Sequence, residues 1–465
     1  MPRWLLPVFL VLLTASSAAL ALRVPAPAEE GEEAHGPPLR VPVLSARRAP
    51  GVVSRVVADT RLRANLQVIL AGPLLGAGRD QSCLTVRQGA RPIFERGADR
   101  SLIPASTLKV LTGQAVLSRM GEDERLVTEV RAAQPLAPGG VVGGPLWLVG
   151  GGDPLLATAD FAASAPDQPP VYTAFEPLAD ALVASGVRHV VGGVIGDETR
   201  YDVQRYVPTW KPAYAASGQV GPASALSLND GFAQVGPRRL ASPQPDGVAA
   251  TVLTNLLRAR GVVVAGAPAE GVAPAGAAVV ARVSSPPMRE VVGQMLRDSD
   301  NLTAELLVKE LGHRFGGEGS TRAGVAVVRE TLAGAGLPVA DLVAVDGSGL
   351  DRGDRASCSL LMAALEAGGP SGALASGFPV AARTGTLARR FAGNPAAGRL
   401  RAKTGTLDNV TGLTGYIAVP GGDDLAFALL VNGPTSDAAG RALQEQLGAV
   451  LARYPDAPPP TGLGP

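Results

Sequence analysis

The apolar residues between positions 58 and 122 change their period twice, which predicts a helix, a hairpin and a second helix. The segment ADTRLRANLQVILA (58–71) has helical spacing, whereas SCLTVRQGARPIFERGADR (82–100) alternates and turns at Gln88-Gly89. In PASTLKVLTGQAVL (104–117) the apolar spacing returns to that of a helix and indicates that this helix is buried. The first part of the chain therefore predicts one strand pair between two helices.

The pattern becomes mainly β from residue 123 to residue 285, where short apolar runs alternate with Gly and Pro. Helical spacing interrupts it at 175–186 and 247–261. The glycine-rich VGGGDP (149–154) lacks the lysine and the helix of a phosphate loop and is interpreted as a turn. We expect residues 123–285 to form a mainly β insertion with two subdomains.

Helical spacing dominates again from residue 286, with two apolar runs on either side of the polar break RDSDN. Another helix is predicted at 320–336. LRAKTGTL, TGLTGYIAV and LAFALLVNG then indicate three strands, and a last helix follows at 438–454. Residues 59–122 and 286–456 are thus predicted to form one α/β (α+β) domain, with an antiparallel sheet flanked by helices and split by the insertion.

Both chain ends have compositions unlike that of a folded domain. Residues 1–22 contain an early Arg3, the apolar core LLPVFLVLL and the sequence Ala19-Leu20-Ala21, which together predict a cleaved export signal. The alternative is an uncleaved membrane anchor. Residues 23–58, rich in Pro, Ala, Glu and Arg, are predicted to be a disordered linker, and 457–465 a flexible tail. The expected location is therefore extracytoplasmic, in the cell envelope.

Composition narrows the choice of chemistry. The net charge of +1 argues against a nucleic-acid partner. Only four lysines occur among 465 residues, and one of them, Lys109, stands three positions after Ser106. Residues three apart share one face of a helix, so these two side chains can touch. A lysine drawn into a buried helix loses hydration, and its pKa falls toward the range of a general base.

Two further motifs follow along the chain: Ser299-Asp300-Asn301 in the polar break and Lys403-Thr404-Gly405 at the start of a predicted strand. With Ser106 and Lys109 they match the Ser/Lys acyl-transfer set of penicillin-binding proteins and serine β-lactamases. The sequence therefore predicts a nucleophilic serine enzyme.

The chemistry assigns a role to each side chain. Ser106 attacks a carbonyl and becomes an acyl-enzyme, with Lys109 as the base, its pKa lowered by burial and by Lys403. Ser299 passes a proton to the leaving amine, and Asn301 holds Lys109 and the substrate amide.

The strand that begins at Lys403 is predicted to pair with an extended substrate, with Lys403, Thr404, Gly405 and Thr406 forming its binding surface. Backbone N–H groups of Ser106 and Thr406 are expected to form the oxyanion hole. A competing copy, RTGTL at 383–387, precedes a loop-like segment and is interpreted as a structural turn that can line the site.

No other chemistry is predicted. The three histidines, His35, His189 and His313, lie in unrelated contexts and argue against a Ser-His-Asp enzyme. No His/Cys cluster has metal-ligand spacing, so we expect neither a metal nor a cofactor. Asn301-Leu302-Thr303 matches a glycosylation acceptor but overlaps the predicted site and is interpreted as a coincidence. Cys83 and Cys358 allow one disulfide or two separate thiols.

From about residue 60 to 455 the chain resembles the DD-carboxypeptidase/DD-endopeptidase penicillin-binding proteins of low-molecular-mass class C. The resemblance rests on PASTLKVLT, GGGDPLL, SDNLTAELL, DGSGLDR, FAGNPAAGRLRAKTGTL and GYIAV, and on the long separation of Lys109 from Ser299. It implies a transpeptidase-like domain split by an insertion. It also places Cys83 and Cys358 in the same domain, which favours their pairing. Asp346 and Ser348 lie in a motif of the group, and we interpret them as structural residues.

The resemblance implies cleavage of the terminal D-Ala-D-Ala bond of peptidoglycan stem peptides, and of D-amino-acid crosslinks. It further implies covalent inhibition by β-lactams. Two alternatives stay open: a serine β-lactamase, and an inactive peptidoglycan-binding protein. The oligomeric state is left open.

Overall fold

The computed structural model of the protein describes residues 49–459 except 166, 168 and 235–239. The predicted export signal, most of the predicted linker and residues 460–465 lie outside the described residues. Among the described residues, no helix combines the length and the apolar character needed to cross a bilayer.

The described chain alternates between helices and strands along its whole length. The helices are α1 (Ala49–Ala71), α2 (Leu108–Met120), α3 (Ala159–Ala163), α4 (Glu176–Ala184), α5 (Pro212–Ala216), α6 (Pro245–Ala259), α7 (Met288–Asp298), α8 (Asn301–Phe315), α9 (Thr321–Gly334), α10 (Cys358–Gly368), α11 (Ala373–Ser376) and α12 (Asp437–Ala452). Short 3-10 turns lie at Pro73–Arg79, Ala105–Thr107, Asn229–Gly231 and Gly385–Leu387.

The strands fall into two groups, one flanking residues 123–285 on both sides and one within them. They are β1 (Ser82–Gln88), β2 (Arg91–Arg96), β3 (Val127–Ala132), β4 (Val141–Val142), β5 (Leu146–Val149), β6 (Leu156–Ala157), β7 (Thr173–Ala174), β8 (His189–Val190), β9 (Val194–Asp197), β10 (Phe232–Gln234), β11 (Leu240–Ala241), β12 (Val263–Val264), β13 (Ala269–Glu270), β14 (Ala278–Ser284), β15 (Leu400–Leu407), β16 (Val410–Ile417) and β17 (Leu425–Asn432).

The main sheet has the strand order β15-β16-β17-β1-β2 and is antiparallel throughout. Strands from before and after residues 123–285 therefore share one sheet, and β15 lies at its edge. Because side chains alternate across a strand, the sheet is covered on both faces. One face packs on α1 and α12 through leucines such as Leu66 and Leu447, and the other packs on α2 and α7–α10.

Residues 123–285 contain a second sheet in the order β13-β9-β5-β3-β14 and a parallel sheet β12-β8-β4. One apolar cluster joins these strands to α4 and α6. Another cluster brings side chains of 201–225, including Trp210 and Tyr214, against Leu306 and Leu350 of the segments that follow the insertion. Residues 201–225 are thus packed directly against segments that follow residue 285.

The prediction of a disordered linker up to residue 58 is wrong from residue 49 onward, because α1 begins at Ala49. Its valines and alanines continue the helical period upstream of the leucines, and Ala58 is buried. The Ser54 hydroxyl also donates a 2.8 Å hydrogen bond to the Pro458 carbonyl. Tertiary contacts therefore stabilise a helix that composition alone assigned to a linker.

A disulfide links Cys83 on β1 to Cys358 at the start of α10, with 5.9 Å between the Cα atoms. These residues are 275 positions apart in sequence. The bond connects the main sheet to the helical layer that holds Ser106.

Candidate active site

Ser106 lies in the 3-10 turn Ala105–Thr107 that leads into α2. Ala105 has a φ of 48°, a left-handed conformation that is uncommon outside glycine. The chain can turn this sharply because Gly349 backs onto it: a Cβ on Gly349 would lie 2.0 Å from the Ala105 carbonyl oxygen. Strain of this kind is concentrated at functional sites.

Lys109, one helical turn further on, is fully buried, and its Nζ has three partners. It lies 3.2 Å from Ser106 Oγ and 2.7 Å from both Asn301 Oδ1 and the Ser348 carbonyl oxygen. A neutral amine has two N–H donors and one lone pair. The two short contacts go to atoms that only accept, so the lone pair remains for the Ser106 hydroxyl proton.

Burial makes this neutral form of Lys109 accessible near neutral pH. Burial lowers the pKa of Lys109 to about 8, while the nearby carboxylates of Asp346 and Glu305 oppose part of that decrease. At pH 7 a pKa near 8 leaves roughly one molecule in ten with a free base at this position. Lys109 is therefore matched to general-base chemistry near neutral pH.

The Ser-Asp-Asn motif occupies the junction of two helices, and each of its residues has a distinct geometry. Ser299 ends α7 in a left-handed conformation with φ 61°. Asp300 caps α8, because its Oδ1 accepts a 3.1 Å bond from the Thr303 N–H. Asn301 opens α8 and reaches Lys109. The break that the sequence predicted between two helices is therefore what points Ser299 and Asn301 at the same site.

Lys403, on β15, is also fully buried. Its Nζ donates to Ser299 Oγ at 2.7 Å and to the Thr404 carbonyl at 2.8 Å. Burial, and then the positive charge of Lys109, lower the pKa of Lys403 well below its usual value. The two lysines thus reach the site from a helix and from a strand, and the charge of Lys109 makes Lys403 easier to deprotonate.

The strand β15 passes directly beside the nucleophile turn. A Cβ on Gly405 would lie 2.7 Å from the Pro104 carbonyl oxygen, so only glycine allows this approach. The Ala402 N–H donates outward, to the Pro379 carbonyl at 3.1 Å. Because the direction alternates along a strand, the N–H groups of Thr404 and Thr406 face the same outer edge. The predicted residues of all three motifs therefore meet in one place.

The model of the D-Ala-D-Ala carboxypeptidase 3 (S13) family matches residues 62–239 and 235–454. The chain belongs to this family. It is 30% identical to a D-alanyl-D-alanine carboxypeptidase of Actinomadura sp. (strain R39), over 87% of this chain and 86% of that protein. It is 34% identical to carboxypeptidase DacB of Mycolicibacterium smegmatis, over 86% of this chain and 87% of that protein.

The fold is that of penicillin binding protein 4 (dacB) from Haemophilus influenzae, with a TM-score of 0.66 at 19% identity over 80% of this chain and 95% of that one. These findings confirm the predicted family and the predicted fold class, an α/β domain with helices against an antiparallel sheet. They also confirm the predicted enzyme class, a serine-type DD-peptidase that acts on peptidoglycan.

Glu305, a buried acidic residue that contacts the loop 346–349, was not predicted as part of the site. Glu305, on α8 one turn after Asn301, accepts N–H bonds from Gly347 (3.1 Å) and Ser348 (2.8 Å). It thereby fixes the Ser348 carbonyl that receives Lys109. Burial, and then the charge of Asp346, raise the pKa of Glu305. The spacing of four from Asn301 within SDNLTAELL was the one sequence signal that could have identified it.

The insertion also contributes to the site, which the sequence did not predict. The Gln219 carbonyl accepts a 2.8 Å bond from Asn301 Nδ2 and so fixes which amide atom faces Lys109. Trp210 Nε1 donates a 2.7 Å bond to Asp346 Oδ2. Asp346 lies in the same loop as Ser348, the residue whose carbonyl accepts from Lys109.

A cleft of about 310 Å³ opens beside the Ser-Asp-Asn motif. One wall is formed by Ser299, Asn301 and their neighbours, and the other by residues of the insertion that include Tyr172 and Gln219. The RTGTL turn lies close by, since the hydroxyls of Thr386 and Thr404 are 3.2 Å apart. Of the histidines, His313 is exposed at the end of α8 and His189 is on β8, while His35 lies outside the described residues.

Proposed function

We propose that the protein cleaves the terminal D-Ala-D-Ala bond of peptidoglycan stem peptides through a Ser106 acyl-enzyme, and that β-lactams acylate the same hydroxyl. The observation that carries the proposal is Lys109: a fully buried amine 3.2 Å from Ser106 Oγ, with its other short contacts made to acceptors. Such an amine is a base positioned to activate the serine.

In the acylation step Lys109 takes the Ser106 hydroxyl proton while Oγ bonds to the carbonyl carbon. The oxyanion lies between the N–H groups of Ser106 and Thr406, the first on the opening turn of a helix and the second on the open edge of β15. When the C–N bond breaks, the D-alanine amine leaves with the Ser299 hydroxyl proton. Lys403, which enters the reaction as an ammonium, then replaces that proton, and its 2.7 Å bond to Ser299 supports the transfer.

Hydrolysis of the ester restores both lysines. Water adds to the acyl carbon and gives a proton to Lys403, and Ser106 Oγ leaves with the proton held by Lys109. The free acid departs and the site returns to its starting protonation state. Asn301 holds Lys109 Nζ through Oδ1 during both steps.

The proposal extends to the organisation of the chain. Residues 59–122 and 286–456 act as the catalytic domain, and residues 123–285 as an insertion that forms one wall of the cleft. A cell-wall substrate requires a location outside the cytoplasm, in line with the export signal predicted at 1–22. N-terminal sequencing of the exported protein distinguishes a cleaved signal from an anchor.

A fluorescent penicillin tests the reaction. We expect stable, stoichiometric labelling of the wild type, a mass adduct on the peptide that contains Ser106, and no labelling of Ser106→Ala. Ser118→Ala is a matched control, because Ser118 is an exposed serine on α2, the helix that follows Ser106. Rapid turnover of the drug would instead indicate a β-lactamase, and a wild type without labelling would indicate an inactive binding protein.

A further inference from the structure

The segment just before the RTGTL turn, residues 379–381, covers part of the edge strand that holds Lys403. The Ala381 N–H donates to the Leu400 carbonyl at 2.8 Å, and the Ala402 N–H donates to the Pro379 carbonyl at 3.1 Å. Residues 379–381 are therefore paired with the first half of the outer edge of β15, and Val380 and Arg401 form an isolated antiparallel bridge. The chain then leaves the edge and forms the turn Gly385–Leu387.

This arrangement determines where a bound peptide has to end. A peptide with its scissile carbonyl at the Thr406 N–H and its leaving residue toward Thr404 runs antiparallel to β15. Its next residue would meet segment 379–381. The edge thus has room for a chain that terminates beside Thr404, and the charge at that terminus is a carboxylate.

Thr386 lies at this terminus. Its hydroxyl is 3.2 Å from the Thr404 hydroxyl, and Lys403, the neighbour of Thr404, is the nearest cation along the strand. Two hydroxyls that share one hydrogen bond use one of their two protons, so the second proton remains for another acceptor. A hydroxyl pair beside an amine is suited to bind a carboxylate.

We propose that Thr386 is a specificity-determining residue: with Thr404 it binds the C-terminal carboxylate of the peptide and the equivalent carboxylate of a β-lactam. The inference rests on the proposed DD-peptidase function and assigns a role to the second TGTL sequence of the chain.

The turn is held firmly enough to present a fixed hydroxyl. The Gly385 N–H donates to Asp167 Oδ2 of the insertion at 2.8 Å. The Val380 N–H donates to Thr384 Oγ1 at 3.0 Å, and Leu387 is fully buried. A group held by contacts on both sides loses little conformational entropy when the ligand binds.

The test compares Thr386→Val, which removes the hydroxyl but keeps the shape, with Thr386→Ser, which keeps the hydroxyl. The matched control is Thr60→Val, at an exposed position on α1, where the hydroxyl donates to the Val56 carbonyl. The measurements are KM and kcat for a peptide acid, the second-order rate of penicillin acylation, and competition with the label by the peptide acid and by its C-terminal amide.

For Thr386→Val we expect KM for the acid and its competition constant to rise roughly tenfold to a hundredfold, the range for a hydrogen bond to a charged group, with kcat nearly unchanged. Penicillin acylation should slow by a similar factor. Competition by the amide should be the same in the wild type and the variant. Thr386→Ser should restore wild-type values.

An unchanged KM in Thr386→Val, or an equal loss for acid and amide, overturns the inference. Melting curves and the Thr386→Ser variant separate loss of the hydroxyl from loss of the fold, and failure of Thr386→Ser to recover counts against the inference. If the wild type neither reacts with penicillin nor cleaves the peptide, the proposed function itself fails. If the wild type reacts and Thr386→Val has the same KM and the same acylation rate as the wild type, only the role of Thr386 is refuted.

Discussion

At the scale of single residues, the site depends on two buried amines whose pKa values are lowered. Lys109 and Lys403 are both fully buried, and for Lys403 the charge of Lys109 adds to the cost of desolvation. The carboxylate of Asp346 works in the opposite direction for Lys109. The balance leaves the pKa of Lys109 at about 8, where a change in a single neighbouring charge alters activity at neutral pH.

The first prediction at this scale concerns pH. The acylating form has neutral Lys109, so the rate of penicillin acylation should rise with pH and level off above a midpoint near the Lys109 pKa of about 8. Below the midpoint the rate should fall about tenfold for each pH unit. The measurement is the second-order rate constant across the neutral range and well to either side of it. The control is Lys211→Ala, a change at an exposed lysine, which should have the same dependence of rate on pH as the wild type. If the wild-type rate does not change with pH, Lys109 is not the base.

The second prediction places a charge beside that amine. Asn301→Asp has nearly the same shape but puts a carboxylate 2.7 Å from Lys109 Nζ. An adjacent negative charge favours the ammonium form, so the pKa of Lys109 should rise and the midpoint should move above 8. Acylation at neutral pH should therefore slow by about tenfold or more and recover in part at high pH. A midpoint that stays in place or moves down contradicts this explanation, whatever the rate.

At the scale of elements, function depends on how closely backbone segments approach one another. The nucleophile turn, the loop 346–349 and strand β15 meet with almost no space for side chains between them. Gly349 and Gly405 lie at these two contacts. The ends of three helices lie at the same site. The helix α2 starts next to the nucleophile, and the junction of α7 with α8 holds Ser299 and Asn301.

The corresponding prediction is that Gly349→Ala disables the enzyme. Its Cβ would lie 2.0 Å from the Ala105 carbonyl oxygen, which forces the turn before Ser106 to move. We expect acylation to fall by about a hundredfold or more, because small displacements of a nucleophile cost factors of that size. Gly336→Ala is the control, since Gly336 has a φ of 79° but no heavy atom near the added Cβ. If both variants lose activity equally, backbone strain and not the contact explains the effect.

At the scale of the whole molecule, the insertion is part of the catalytic machinery as well as a wall of the cleft. It supplies the Gln219 carbonyl to Asn301 and the Trp210 indole N–H to Asp346. It is also fastened to the rear half of α8, where Glu310 binds Arg200 and Tyr201. The insertion therefore contacts α8 at two places, at Asn301 beside the catalytic residues and at Glu310 in the second half of the helix.

Trp210→Phe tests this dependence. It keeps an aromatic ring in the apolar cluster but removes the donor to the buried Asp346 carboxylate. Loss of a hydrogen bond to a charged group costs about 1.5–3 kcal/mol, so we expect a lower melting temperature and roughly tenfold slower acylation. Trp147→Phe, on β5 of the insertion, provides the comparison. If Trp210→Phe is acylated at the wild-type rate, the insertion does not act through Asp346.

The sequence by itself determined the reactive residues and the elements that hold them. Ser106 and Lys109 are three apart on a helix, so their contact follows from local geometry alone. The polar break around Ser299 and the alternating run after Lys403 likewise specify a helix junction and a strand. Motif order and residue type were sufficient to identify the chemistry, because acyl transfer requires a hydroxyl, a base and a cation whatever the fold around them.

Only the tertiary structure decided what supports those residues. The contacts of Glu305 with Ser348, of Trp210 with Asp346 and of Thr386 with Thr404 join segments whose spacing gives no periodic signal. The start of α1 was mispredicted for the same reason, since the neighbours that stabilise it come from the far end of the chain. Side-chain period reveals which face of an element is buried, but which partner covers that face depends on packing between segments distant in sequence.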